Sequence, residues 1–138
     1  MFKKILLPVD LSNRHDAALR IAIEHARQSG GEVELFHVIE KISDVPIEEE
    51  RDFYDKLKVK AEKHMNKLAE KLKQAEVRYR REIRIGHRCA TIVQHADEEK
   101  FDVIILTAPK IDLNSSDGWG SLSYKLSILA PCPVLLVK

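Results

Sequence analysis

Phe101-Asp102-Val103-Ile104-Ile105-Leu106 is nearly all apolar, and the next four residues, Thr107-Ala108-Pro109-Lys110, break the run. A short run of this kind is the signature of a strand buried on both faces, and such strands belong to parallel sheets covered by helices. On its N-terminal side, Arg88 to Glu99 carries Cys89, Ile92, Val93 and Ala96 at helical spacing, and Gly86 separates that helix from Val77 to Ile85. The latter stretch alternates and is basic on its outer positions, as an edge strand protected by arginines would be. Before it, Ile47 to Glu76 reads as one long helix with Leu57, Ala61, Met65, Leu68, Leu72 and Ala75 along one face, opened by Pro46. Its acids (Glu48, Glu49, Glu50, Asp52, Asp55) come early and Lys63, Lys67, Lys71 and Lys73 come late, which suits the helix dipole and reads as a solvated face.

Further out, Glu32 to Ile39 begins alternating and ends apolar, a second strand. Arg14 to Gln28 is a helix with Ala18, Ile21, Ala22 and His25 on one face, stopped by Ser29-Gly30-Gly31. Lys4 to Val9 is the first strand. On the C-terminal side, Thr107 to Trp119 is a polar loop with Asp112, Asn114, Ser115, Ser116, Asp117 and Gly118. Gly120 to Leu129 is a short helix, Ala130-Pro131-Cys132-Pro133 a turn, and Val134 to Val137 the last strand. The order is βαβαβαβαβ, which predicts a single α/β domain over residues 1–138: an open parallel sheet reached by right-handed crossovers.

The chain has 138 residues, enough for one ordinary domain. Lys+Arg total 23 and Asp+Glu 22, a formal charge of +1, which argues against a general nucleic-acid or membrane-surface binder. With 44% hydrophobic and 33% charged residues the composition is that of a soluble globular protein. No apolar run approaches the ~20 residues of a membrane span. Met1 to Asp10 has too short an apolar run and no small-residue cleavage site, so no signal peptide is expected. Cys89 and Cys132 have neither metal nor redox spacing, and two lone cysteines fit a reducing, cytoplasmic setting.

In open α/β sheets ligands sit beyond the carboxyl ends of the strands, where the strand order reverses. That makes candidates of Pro8-Val9-Asp10-Leu11-Ser12, His37-Val38-Ile39-Glu40, Gly86-His87-Arg88 and Thr107-Ala108-Pro109-Lys110. Gly120-Ser121-Leu122-Ser123 opens the last helix with a glycine and two hydroxyls, which suits an anion such as phosphate. Ser121 capping its own helix is an equally physical reading.

At these residues the sequence resembles the universal stress proteins, over essentially its full length. The resemblance rests on KKILLPVDLS at the start, LFHVIE ending the second strand, the IGH turn, FDVIILTAPK, and most specifically GSLSYKLSILAPCPVLLVK at the end. It implies a five-stranded parallel sheet of order 3-2-1-4-5 with helices on both faces, the adenine nucleotide alpha-hydrolase-like fold. It also implies a homodimer paired through the last strand (Val134, Leu135, Leu136, Val137) and ATP or AMP, with Mg, at the split between strands one and four. The family's nucleotide pattern G-x2-G-x9-G-[ST] matches Gly120 and Ser121, but its first two glycines fall on Thr107 and Lys110. A Cβ at those positions impedes close approach of ribose and phosphate, and Pro109 removes a backbone donor. Lys110 offers an ammonium in partial replacement. Asp10 matches the adenine-contacting acid and Val38 an apolar contact on the base; a helix cap and a core residue are their alternatives. The expectation is a degenerate site that binds adenine nucleotide weakly or not at all.

Among the remaining residues, His25 and His64 are expected to pack beside helices and His37 within its strand. His15, His87 and His95 have no ligand spacing around them, so no metal is expected. Trp119 is expected to pack the long loop onto the domain, and neither cysteine has a base beside it. A nucleotide hydrolase is disfavoured because the chain has no GxxxxGK[ST] and no glycine-rich loop after strand one. An aspartate-phosphorylated receiver is disfavoured because Ile85-Gly86 stands where the acceptor acid should be. Three readings remain: a small regulatory stress protein without turnover, a fully nucleotide-binding ATP-dependent stress protein, and a nucleotide-free dimeric adaptor for an unidentified protein partner.

Overall fold

The computed structural model describes residues 2–42, 44–110 and 121–138, without the side chain of Ser121. Its strands are β1 (Lys4–Pro8), β2 (Glu32–Glu40), β3 (Arg78–Gly86), β4 (Val103–Thr107) and β5 (Val134–Val137). Its α-helices are α1 (Asp16–Ser29), α2 (Arg51–Gln74), α3 (Arg88–Glu98) and α4 (Ser121–Leu129). The strands form one parallel sheet, as the alternation of elements predicts, in the order β3-β2-β1-β4-β5 that the resemblance implies.

Each strand of the sheet centre divides its side chains between two layers. Ile5, Leu7, Val9, Val33, Leu35, Val103 and Ile105 face α1 and α2, with Ala22, Met65 and Leu72 closing that side. Leu6, Phe36, Val38, Ile104 and Leu106 face α3 and α4, packed on Ile92, Ala96 and Leu126. Ile5, Leu6 and Leu7 are wholly buried, and each contributes about 1.5–3 kcal/mol of burial free energy. The apolar runs of β1 and β4 thus follow from having no solvent face at all.

The helix ends follow their residues. Gly30 takes φ +68°, and its N–H and that of Gly31 both reach the Ala26 carbonyl, ending α1. Gly31 allows close approach: a Cβ there would lie 2.2 Å from the Lys3 carbonyl oxygen. The long helix expected over Ile47 to Glu76 opens instead as a 3-10 turn, Ile47–Glu50, before α2 begins. Pro46 is extended and accepts a hydrogen bond from the Glu49 N–H at 3.1 Å, which tightens this first turn around three consecutive glutamates. Tyr54, buried on α2, accepts from the Ile42 N–H at 2.9 Å and ties down the chain after β2. The apolar stripe of α2 (Ala61, Met65, Leu68, Leu72) packs where the sequence places it.

Candidate functional site

The strand order reverses between β1 and β4: the chain runs outward from β1 to β3, then returns to β4 on the other side. At the carboxyl ends of these two strands lies a cavity of about 200 Å³. Its apolar wall is Val38 and Phe36 of β2, Ile92 of α3, Leu106 of β4 and Leu122 of α4. Its polar rim is Asp10, Arg14, His15, Arg88, Thr107 and Ser123, with Pro8, Val9 and Pro109 between.

The end of β1 is fixed from both sides. The Val9 N–H donates to the Phe36 carbonyl at 2.9 Å, and the Val9 carbonyl accepts from buried His37 Nδ1 at 2.7 Å. Burial holds the His37 imidazole below its ordinary pKa, so it serves as a neutral donor. Asp10, the next polar residue, accepts from the Ser12 N–H at 2.9 Å in a tight turn. Burial acts to raise the Asp10 carboxyl, but hydrogen bonds from Ser12 and His15 outweigh it and hold the group well below the usual carboxylate range. Asp10 does not cap α1; that helix starts from His15, without a side-chain cap.

His15 joins the two strands across the split. Its Nε2 lies 2.8 Å from Asp10 Oδ1 and its Nδ1 lies 2.7 Å from Thr107 Oγ1, with the residue only 4% exposed. An ionised carboxylate can only accept, so in the neutral ring Nε2 carries the proton and Nδ1 accepts from the Thr107 hydroxyl. The longer 3.2 Å approach of the Asp10 N–H to Nε2 is the contact this tautomer leaves unused. Thr107, which stands where the resemblance places a glycine, is therefore held by a side-chain bond rather than left to a ligand. Sequence reasoning misses His15 because Thr107 is 92 positions away and only the topology brings the two together.

Of the residues singled out in the sequence, the structure gathers Pro8, Val9, Asp10, Val38, Thr107, Leu122 and Ser123 around this cavity. Lys110 is exposed and does not line it. Gly120, the Ser121 side chain, Trp119 and the acidic loop residues Asp112 and Asp117 lie outside the described residues. Arg88 and Pro109 line it from the candidate strand-end stretches, whereas Arg14 and His15 join the lining without having been candidates.

A second polar cluster sits under α3. Glu34 of β2, Glu82 of β3 and His95 of α3 bring ligand-type atoms within 4.8 Å of one another. His95 Nε2 lies 3.0 Å from Glu34 Oε1 and 3.5 Å from Glu82 Oε2, and its ring stacks on Phe36 at 4.4 Å. Burial raises the Glu34 carboxyl pKa and its hydrogen bond with Glu82 raises it further. Glu82, which burial also pushes upward, is held down by its bonds from Arg84 and Glu34. Of the two carboxyls, Glu34 is therefore the harder to ionise. The donor set does not favour a cation: Arg80 at 3.6 Å from Glu34 and Arg84 at 3.0 Å from Glu82 already supply two positive charges. A metal on Nε2 would also force the proton onto His95 Nδ1, which is buried with no partner among the described residues. The cluster is a charge-compensated clamp between β2, β3 and α3.

Known proteins share this architecture over its whole length. The model of the Universal stress protein family matches residues 1–138. Universal stress protein YxiE of Bacillus subtilis is 32% identical over 152 residues, covering 100% of both chains. Among solved structures, hypothetical protein MJ0577 is 27% identical with a TM-score of 0.82, over 100% of this chain and 96% of its own. The universal stress protein from Archaeoglobus fulgidus in complex with dAMP is 20% identical, TM-score 0.77, over 99% of this chain and 98% of its own. Fold, length and sequence agree, and the chain belongs to the universal stress protein family.

Proposed function

We propose that this protein is a small regulatory protein of the stress response, acting in the cytoplasm as a homodimer, and that its β1/β4 pocket holds an adenine nucleotide weakly and without turnover. The observation that carries the reading is the pocket itself: Asp10, Val38, Leu122 and Ser123 converge at the switch point, beside Thr107 in place of glycine. An apolar slot with a few convergent polar groups suits a heterocyclic base. At about 200 Å³ it is smaller than the ~300–1,000 Å³ of sites that enclose a whole ligand, so it grips one end of the nucleotide. The dAMP complex of the Archaeoglobus fulgidus protein, which shares this fold, supports the class of ligand.

Weak binding follows from the loop after β4. Thr107 and Lys110 replace glycines and Pro109 lacks an N–H; each charge-assisted donor lost costs roughly 1.5–3 kcal/mol, or about 10- to 150-fold in affinity. The absence of turnover is supported by His15, whose two ring nitrogens are committed to Asp10 and Thr107 beneath the pocket. Dimerisation through β5 is supported by that strand's position at the sheet edge. Leu135 and Leu136 are exposed on it, and α4 also exposes Tyr124, Ile128 and Leu129.

Calorimetric titration of ATP with magnesium into wild type and the Thr107→Gly/Lys110→Gly double variant tests the reading. The expected result is a weak wild-type isotherm that tightens at least about 10-fold in the double variant. Micromolar ATP affinity in the wild type would refute the degenerate site. No binding by either protein would instead favour the nucleotide-free adaptor.

A further inference from the structure

Arg14 stands where the split between β1 and β4 opens. It lies in the turn between β1 and α1, is half-buried, and its Nη1 donates to the Ala108 carbonyl at 3.3 Å. A side chain from the β1 loop thereby crosses to the end of β4. That is the one hydrogen bond of its guanidinium among the described residues, against the five N–H donors the group carries. No carboxylate among those residues forms an ion pair with it. The one acid in the cavity lining, Asp10, is already engaged by the Ser12 N–H and by His15. Two cations, Arg14 and Arg88, thus stand against the single acid Asp10, so the lining is net positive even when His15 is neutral, which suits an anion.

The sheet order gives the two ends of the cavity different characters. Val38 belongs to β2 and Ala108 follows β4, and β1 lies between them. An apolar ring seated on Val38 and Ile92 therefore presents its far end toward Arg14 and the start of the Thr107–Lys110 stretch. Arg88 opens α3 on the ring side, near Ile92, and is exposed. A planar guanidinium meets a phosphate through two parallel bonds, which an ammonium such as the exposed Lys110 cannot reproduce.

We propose that Arg14 is the phosphate anchor of this pocket, so that the favoured ligand is an adenine nucleoside monophosphate held by a side chain where glycine-rich main chain is missing. The assignment rests on the nucleotide reading above. It makes the phosphate, and not the sugar or base, the part of the ligand that Arg14 recognises.

The test is a thermodynamic cycle: adenosine and AMP are each titrated into wild type, Arg14→Gln, Arg14→Lys and Arg88→Gln by calorimetry, with circular dichroism confirming each fold. For wild type, AMP should bind more tightly than adenosine. In Arg14→Gln the ratio of AMP to adenosine affinity should fall by about 10- to 150-fold, with partial recovery in Arg14→Lys. Arg88→Gln, which removes a rim charge on the ring side of the cavity, should lower that ratio by less than Arg14→Gln does. Equal losses for both ligands in Arg14→Gln, no loss at all, or a phosphate-specific loss confined to Arg88→Gln would each overturn the assignment. If Arg14→Gln fails to fold, Arg14→Lys decides, since a two-pronged contact reduced to a point charge must lower the ratio. Adenosine binding without any preference for AMP in the wild type defeats the anchor alone, whereas binding of neither ligand defeats the nucleotide reading and the anchor together.

Discussion

Replacing Thr107 by valine removes one hydroxyl and keeps the shape of the side chain, so it isolates the bond that closes the split between β1 and β4. The Thr107 Oγ1 lies 2.7 Å from His15 Nδ1, and His15 is 4% exposed. Losing a net hydrogen bond costs about 0.5–1.5 kcal/mol, and stranding a buried acceptor raises this to about 1–3 kcal/mol. Thr107 itself is half-buried beside the cavity, from which a water can reach the site, so about 1–2 kcal/mol is expected. For a domain of this length that corresponds to a fall in Tm of roughly 3–8 °C. Urea unfolding at neutral pH of wild type, Thr107→Val, His15→Leu and the double variant gives the coupling directly. The two single losses should fail to add, by about 0.5–1.5 kcal/mol, because they break the same bond. A Thr107→Val protein within about 0.3 kcal/mol of wild type, with additive losses in the double variant, would refute the idea that His15 fastens the two strands together.

Three other outcomes follow from the packing. Glu34 has a pKa raised by burial from an ordinary 4.5, so the stability contributed by its protonated form is complete below that value and is lost as pH rises through the folded one. Glu34→Gln copies the protonated group; it should match wild type near pH 4 and exceed it as pH rises above about 4.5, the gap levelling off beyond the folded pKa, and a pH-independent offset in urea midpoints would contradict this. Between the unfolded and the folded pKa the gap should widen by up to about 1.4 kcal/mol for each pH unit. Gly31→Ala should destabilise by about 1–3 kcal/mol in the same assay, because its Cβ would sit 2.2 Å from the Lys3 carbonyl oxygen; a neutral substitution would show that β1 and β2 can part freely there. Leu136→Lys should convert a dimer to monomer by light scattering with little change in helix content, and a dimer that persists would place the interface elsewhere.

The strand runs that decide the fold were legible because burial on both faces leaves a mark no polar side chain interrupts, as in Val103 to Leu106. Helix ends were legible where glycine was required, at Gly30 and Gly31. The same logic misleads at β2. Glu34 looks like the outward member of an alternating pair, yet α3 covers that face and buries it against His95. In a parallel sheet neither face is wet, so alternation there does not separate inside from outside. Asp10, Val38 and Thr107 could be placed at the switch point from chain order alone. Their link through His15, and the reach of Arg14 to Ala108, could not, because those partners are far apart in sequence and meet only when β4 is laid beside β1.

Whether the β1/β4 pocket retains a weak site for adenine nucleotide is decided most directly by the protein's own nucleotide content. Protein purified without added ligand would be denatured, any released nucleotide identified by mass spectrometry, and the emptied protein titrated with adenosine, with AMP, and with ATP and magnesium. Little or no co-purified nucleotide is expected, together with a weak one-to-one isotherm that is stronger for AMP than for adenosine. A full complement of tightly held ATP, or no heat with any adenine compound, would contradict the weak site.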